Sequence, residues 1–222
     1  MTGAGRPAAV ILDNDGLTLD SETVWTRAEV TLFKRRGRTF THADKLDLVG
    51  SAGPIAAAKL ERMLDLEPGT GMAILHELGD LVVAELARGC EPMPGARDLL
   101  AALTAAGVPF ALCSNSPRRI VDAALRGSGL MDTFAVTIAG DEVAHGKPAP
   151  DPYLAAAAAL GVPPADCIAL EDSPTGATSA RAAGMTVIGV PSVPGVSLAD
   201  IVDAEVPSLE DPALWARLGL QP

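Results

Sequence analysis

Five short apolar runs punctuate the chain, at Ala8–Leu12, Pro109–Cys113, Ala135–Ile138, Cys167–Leu170 and Thr186–Val190. Continuous apolar runs of this length, bounded by turn residues and separated by helical periodicity, predict strands buried on both faces of a parallel sheet. A shorter run at Ala204–Val206 suggests a sixth strand. The helices between the later strands carry start and stop signals. Ser116–Pro117, Asp151–Pro152 and Ser173–Pro174 each pair a capping side chain with a proline suited to the first helical position. Gly107, Gly161 and Gly184 fall where those helices should end.

The alternation breaks between Ser21 and Cys90, where the pattern is helical throughout and holds no good strand. Trp25, Ala28, Leu32 and Phe33 share one helical face, followed by Gly37. Thr41 with Asp44 reads as a capping box, Pro54 opens a further helix, and Thr70 is placed to cap a long one running through Ala87. The pattern returns to alternation after "RGCEPMPGA" at 88–96. The expected organisation is an α/β, Rossmann-like parallel sheet core formed by residues 1–20 and 91–222. An all-helical unit, residues 21–90, is inserted on hinges near Leu19–Ser21 and Gly89–Pro94.

Composition agrees with a folded chain: 222 residues, 48% apolar and 20% charged. The net charge of −11 and the lack of a basic run argue against nucleic-acid or anionic-membrane partners. No stretch has the length of a membrane span, and Asp13 closes the first apolar run too early for a signal peptide, so the expected compartment is the cytoplasm. Cys90, Cys113 and Cys167 are widely spaced and suggest buried thiols rather than a disulfide or zinc site. His42, His76 and His145 have no ligand spacing.

Polar chemistry gathers after the strands. Asp13, Asn14 and Asp15 follow the first, Ser114 and Asn115 the second, Lys147 the third, and Glu171 and Asp172 the fourth. In parallel sheets that edge is where ligands bind. Each cluster also has a plainer reading. "DNDG" could be an Asx turn, Glu171–Asp172 an acid pair at a helix N-terminus, and Ser114–Ser116 a helix cap, which is the expectation for Ser116. Arg118 and Arg119 are expected on a solvated helix face.

Taken in order, "DNDGLTLDSE", "SNS", "GKPAPDPYL" and "EDSPTGATSARAAGM" resemble the motifs of the haloacid dehalogenase superfamily, and most closely its phosphatase-like members with a helical cap. The resemblance implies a Mg²⁺-dependent phosphomonoester hydrolase that forms an aspartyl-phosphate on a small phosphorylated metabolite, a sugar or polyol phosphate. It implies Asp13 as nucleophile and Asp15 as general acid and base. Gly16, Ser114, Asn115 and Lys147 would bind phosphate. Asp13, the Asp15 carbonyl and Asp172 would hold the metal, with Glu171 assisting it. Asp20 and Glu22 would mark the hinge.

The family commonly has an apolar residue where Asn14 stands. Asp15 disfavours the dehalogenase and phosphonatase branches, which lack it. The rival β-phosphoglucomutase-like activity shares the first chemical step, but those mutases carry a cap histidine where Trp25 falls. The cap loop "VGSAGP" at 49–54 lacks the arginine often found nearby in both these mutases and the sugar-phosphate phosphatases. Trp25, Ser51 and Lys59 are the expected cap contacts to substrate. A non-catalytic phosphometabolite-binding protein of the same fold is the alternative from another class. Assembly is expected as a monomer or small homo-oligomer, and the tail at 210–222 as either a core-packing helix or a contact surface.

Overall fold

The computed structural model describes residues 6–48, 51, 53–193 and 195–221. Strand β1, Ala9–Asp13, is wholly buried. Val10 and Leu12 enter one apolar cluster, and Ala9 and Ile11 the other on the opposite face of the sheet, which explains the unbroken apolar run. Four helices follow: α1 (Ser21–Arg35), α2 (His42–Leu48), α3 (Gly53–Leu64) and α4 (Gly71–Leu86). Helix α5 (Ala96–Ala105) then leads into β2 (Phe110–Cys113), and α6 (Arg118–Ser128) into β3 (Val136–Ile138). Helix α7 (Asp151–Leu160) precedes β4 (Cys167–Glu171), and α8 (Pro174–Ala182) precedes β5 (Thr186–Gly189). A two-residue β6 (Ala204–Glu205) and α9 (Pro212–Arg217) complete the order.

The sheet is parallel throughout, in the order β3-β2-β1-β4-β5-β6. The chain builds outward from β1 to β3 and then crosses to the other side of β1 to begin β4. That reversal leaves a crevice beyond the carboxyl ends of β1 and β4. Register aligns the ends, since Asp13 pairs with Cys113, and Leu12 with both Leu112 and Leu170. The strands match the expected runs to within a residue. The differences are informative, because Asp13 and Glu171 lie inside the ladder and not beyond it. Their backbones are therefore fixed by the sheet.

Helix α4 packs against α1 and α3 within the inserted segment and also reaches α6 of the sheet layer. The two linkers meet. The amide of Asp20 donates to the Glu91 carbonyl at 2.8 Å, Leu19 and Pro92 form an antiparallel bridge, and the Met93 amide donates to the Thr18 carbonyl at 3.0 Å. The segment thus leaves and re-enters the sheet layer at one place.

Local signals held unevenly. The Thr41–Asp44 box is complete, the Asp44 carboxylate accepting from the Thr41 amide at 2.8 Å and Thr41 Oγ1 from the Asp44 amide at 3.2 Å. Ser173 caps α8 through the Gly176 amide at 3.1 Å. Gly107, Gly161 and Gly184 all end helices with φ near +70 to +80°. Thr70 does not cap α4: its hydroxyl donates to the Glu67 carbonyl, and Glu61 takes the Gly71 amide instead. Asp151 does not cap α7 either, because its carboxylate meets His145 Nδ1 at 3.2 Å. Nor does Ser116 cap α6. The Arg118 amide goes to Asp141 at 2.8 Å, which leaves the Ser116 hydroxyl for Asp15. In the tail, Trp215 is buried and donates from Nε1 to the Leu209 carbonyl at 2.8 Å, so α9 packs on the core. No helix of the described residues is long and apolar enough to cross a membrane.

Candidate active site

The end of β1 carries Asp13, which is 6% exposed, and the loop after β3 delivers Lys147, which is 8% exposed. Lys147 Nζ lies 2.5 Å from Asp13 Oδ1 and 2.6 Å from Glu171 Oε1, and also donates to the Cys113 carbonyl at 3.0 Å. A buried ammonium loses hydration, but two carboxylates within hydrogen-bond reach outweigh that loss and hold its pKa well above the ordinary value. Burial pushes the Asp13 carboxyl up as well, toward protonation. Lys147 opposes this, while Glu171, Asp172 and Asp15 reinforce it.

Asn115 fixes the backbone of Lys147. Its Oδ1 accepts from the Lys147 amide at 2.7 Å and its Nδ2 donates to the Lys147 carbonyl at 3.1 Å. Gly146 makes this approach feasible, since a Cβ there would stand 2.6 Å from Asn115 Oδ1. Both ends of the Asn115 amide thus hold the lysine loop, which leaves one Nδ2 hydrogen for the phosphate contact that the family resemblance implies.

Glu171 is fully buried, and its carboxylate is fully engaged. Oε1 accepts from Lys147 and from the Tyr153 hydroxyl at 2.6 Å, and Oε2 from the Ser173 hydroxyl at 3.2 Å. Helix α8 begins against it, and a Cβ on Gly176 would overlap both oxygens. Asp172 is less committed, with Oδ2 accepting from Ser192 Oγ at 2.5 Å. Burial, with Glu171 beside it, pushes the Asp172 carboxyl up to about 7.

Oxygens of Asp13, Glu171 and Asp172 lie within 4.8 Å of one another. Three hard oxygen donors at that spacing suit a divalent cation such as Mg²⁺. Among the described residues, Asp13 Oδ2 and Asp172 Oδ1 accept no hydrogen bond, so these two carboxylates fit a metal. Glu171 fits less well as a direct ligand, because its oxygens already hold Lys147, Tyr153 and Ser173.

Asp15 lies on the same side as Asp13, and both line one cavity. Its Oδ2 accepts from Ser114 Oγ at 2.8 Å and Ser116 Oγ at 3.1 Å, and its Oδ1 from Ser21 Oγ at 2.7 Å. Three hydroxyls thus orient one carboxylate. Gly16 follows with φ +90°, and a Cβ there would stand 2.3 Å from Asp172 Oδ2, so both conformation and space demand glycine. Asn14 is fully buried, and among the described residues neither of its amide atoms has a hydrogen-bond partner.

The cavity, about 1860 Å³, runs from these residues to the inserted helices. Trp25 and Ser51 line it. Lys59 does not line it. Its ammonium donates to the Asp47 carbonyl and to Ser51 Oγ, bracing the connection between α2 and α3. Val49, Gly50 and Ala52 of "VGSAGP" lie outside the described residues. Arg118 is more engaged than a solvated helix face implies, reaching Glu142 at 2.6 Å and the Thr137 carbonyl at 2.8 Å. Lys45 bridges Glu22 at 2.9 Å and the buried Glu29 at 3.1 Å. Burial raises the Glu29 carboxyl against the pull of Lys45.

Tyr153, Ser21 and Ser192 were not anticipated as site residues. Ser192 falls just after β5, so the same strand-end rule could have found it. Tyr153 lies within "GKPAPDPYL" in the first turn of α7, and a buried tyrosine hydroxyl needs a partner. Cys90, Cys113 and Cys167 are free buried thiols, and burial pushes Cys113 up to about 12.

Residues 7–184 match the family model for haloacid dehalogenase-like hydrolases. The chain is 33% identical over 193 residues to hexitol phosphatase B of Escherichia coli, covering 83% of each. It is 33% identical over 188 residues to a bifunctional riboflavin kinase/FMN phosphatase of Arabidopsis thaliana, matching 84% of this chain but only 49% of that protein. A crystal structure of CbbY from Rhodobacter sphaeroides in complex with phosphate superposes with a TM-score of 0.81 at 28% identity, over 92% of this chain and 96% of the other. Sequence motifs, sheet order and converging strand ends therefore agree: the chain belongs to the haloacid dehalogenase-like hydrolases, within their phosphatase branch.

Proposed function

We propose that the chain is a Mg²⁺-dependent phosphomonoester hydrolase for sugar or polyol phosphates, working through an aspartyl-phosphate on Asp13. One observation carries this reading: Lys147 is held between Asp13 and Glu171 at 2.5 and 2.6 Å, while Asp15 is oriented separately by three hydroxyls on the same cavity wall. Residues 1–20 and 91–222 supply the reacting groups, and residues 21–90 form a cap over them.

Asp13, Asp172 and the Asp15 carbonyl would hold Mg²⁺, which supplies charge neutralisation between a carboxylate nucleophile and an anionic phosphoryl group. The Asp13 carboxylate attacks phosphorus as the ester oxygen leaves with a proton from Asp15. Asp15, now ionised, takes a proton from water, whose oxygen attacks the phosphorus of the aspartyl-phosphate and restores Asp13. Lys147 offsets the charge on Asp13 and the phosphoryl oxygens. Ser114, fully buried and donating to Asp15 at 2.8 Å, orients the acid and would turn its hydroxyl toward a phosphoryl oxygen, as the family resemblance implies. Trp25 in the cavity wall favours hydrolysis over phosphoryl return to a sugar, since the mutases that the sequence resembles place a histidine there.

A phosphate-release screen over sugar, polyol, glycolate and nucleoside monophosphates, with and without Mg²⁺, tests the reading. Metal-dependent release is expected, and Asp13→Asn should lower kcat on the order of 10³-fold or more. Undiminished release by that variant sinks the proposal. Conversion of a sugar 1-phosphate to its 6-phosphate without phosphate loss would favour the mutase.

A further inference from the structure

The cavity is rich in charge, yet its cations are matched. Among the described residues, each lysine or arginine that lines it faces a carboxylate: Lys147 faces Asp13 and Glu171, Arg118 faces Glu142, Arg119 faces Asp80, and Arg126 faces Asp122. Lys45 is the extreme case, lying 2.9 Å from Glu22 and 3.1 Å from Glu29, so one ammonium meets two carboxylates. Glu22, Trp25 and Glu29 recur at helical spacing along one face of α1 and all line the cavity. That face starts beside the reacting acids, because Ser21 at the head of α1 donates to Asp15. Among the described residues, the Oε1 atoms of Glu22 and Glu29 accept no hydrogen bond.

Resting on the phosphatase reading, we infer that Glu22, Lys45 and Glu29 form the wall that selects the leaving group. It admits a neutral, hydroxyl-rich alcohol and refuses one carrying a second phosphate or a carboxylate. Hydroxyl donors find free carboxylate oxygens there, and the Trp25 ring offers an apolar face to the carbon chain. A second anion meets a net negative wall whose only cation is already neutralised, and like-charge juxtaposition in a shielded site is costly.

The test compares kcat/KM, with Mg²⁺ present, for a hexitol monophosphate, a hexose bisphosphate and p-nitrophenyl phosphate. The intact chain should prefer the monophosphate over the bisphosphate by about 100-fold. Glu22→Gln with Glu29→Gln releases Lys45 and should narrow that ratio by about tenfold or more, and adding Lys45→Met should cancel the gain. Glu22→Gln alone, at a half-exposed position, should move the ratio in the same direction and serves if the double variant fails to fold. Equal use of both esters by the intact chain overturns the inference. So does an unchanged ratio in variants that still hydrolyse p-nitrophenyl phosphate. Absence of turnover on every ester, p-nitrophenyl phosphate included, overturns the phosphatase reading and this inference together.

Discussion

Asn14 sits between the two aspartates of the site, fully buried, with neither amide atom paired among the described residues. An unpaired buried amide costs about 1–3 kcal/mol relative to a satisfied or apolar group. Val10 and Leu12, which precede it at the strand period, face the larger apolar cluster. Asn14→Leu keeps the approximate volume and removes both unpaired atoms. It is expected to raise unfolding stability by about 1 kcal/mol, read as a higher urea midpoint at constant m. A lower midpoint would show that the amide has a partner. At this scale the sequence was legible for residue types and less so for their partners. Asp13, Asp15 and Asp172 could be singled out because each stands just after an apolar run, and Lys147 because it sits in the "GKPAP" motif of the loop that follows the third. That Asn115 would hold a backbone, Ser116 a carboxylate and Lys59 a neighbouring loop could not be read. Those choices depend on which loops cross in space, and several partners lie far away in the chain.

Among the elements, β1 and β4 do the positioning by carrying Asp13 and Glu171 within their ladders. Helix α8 is then capped by Ser173, directly after Asp172, and Gly176 leaves room for Glu171. Crowding acids here has a pH consequence. The folded Asp172 carboxyl is pushed up to about 7, against about 4 for a free aspartate. The folded state therefore favours the protonated acid. Its penalty is absent below about pH 4, grows as pH rises toward 7, and is complete above it. A divalent cation removes that penalty and requires the ionised form. Mg²⁺ should thus raise Tm more at pH 8 than at pH 5.5, by differential scanning calorimetry. An equal shift at both pH values would place the metal elsewhere. Strands and late helices were readable because apolar runs and Gly stops are local properties. The capping partners of α4, α6 and α7 were not, since Glu61, Asp141 and His145 arrive from other segments or outcompete the adjacent side chain.

Across the whole molecule, two of the contacts between helices α1 to α4 and the sheet layer bear on how those helices sit. One is the linker pair, and the other is Arg119 on α6, which pairs with Asp80 and donates to the His76 carbonyl at 3.2 Å on α4. The Arg119–Asp80 pair is exposed, so it adds little to global stability, typically below about 1 kcal/mol. Its influence should fall on the orientation of the helices over the site. Arg119→Ala is expected to shift the urea midpoint by less than that margin while changing kcat and KM together. A large stability loss with unaltered kinetics would contradict this assignment. The run of helices α1 to α4 was legible from the missing strand pattern; its seating was not, because that rests on contacts between α4 and α6.

The meeting of Leu19 with Pro92, and of Asp20 with Glu91, means that the ends of residues 21–90 close on themselves. A segment with adjoining ends is a cassette. It can be exchanged for another of different length without shifting the register of β1 or the start of α5. Because Ser21 of that segment also donates to Asp15, a replacement cassette that redirects the proposed reaction to a new alcohol has to keep a hydroxyl at its first position.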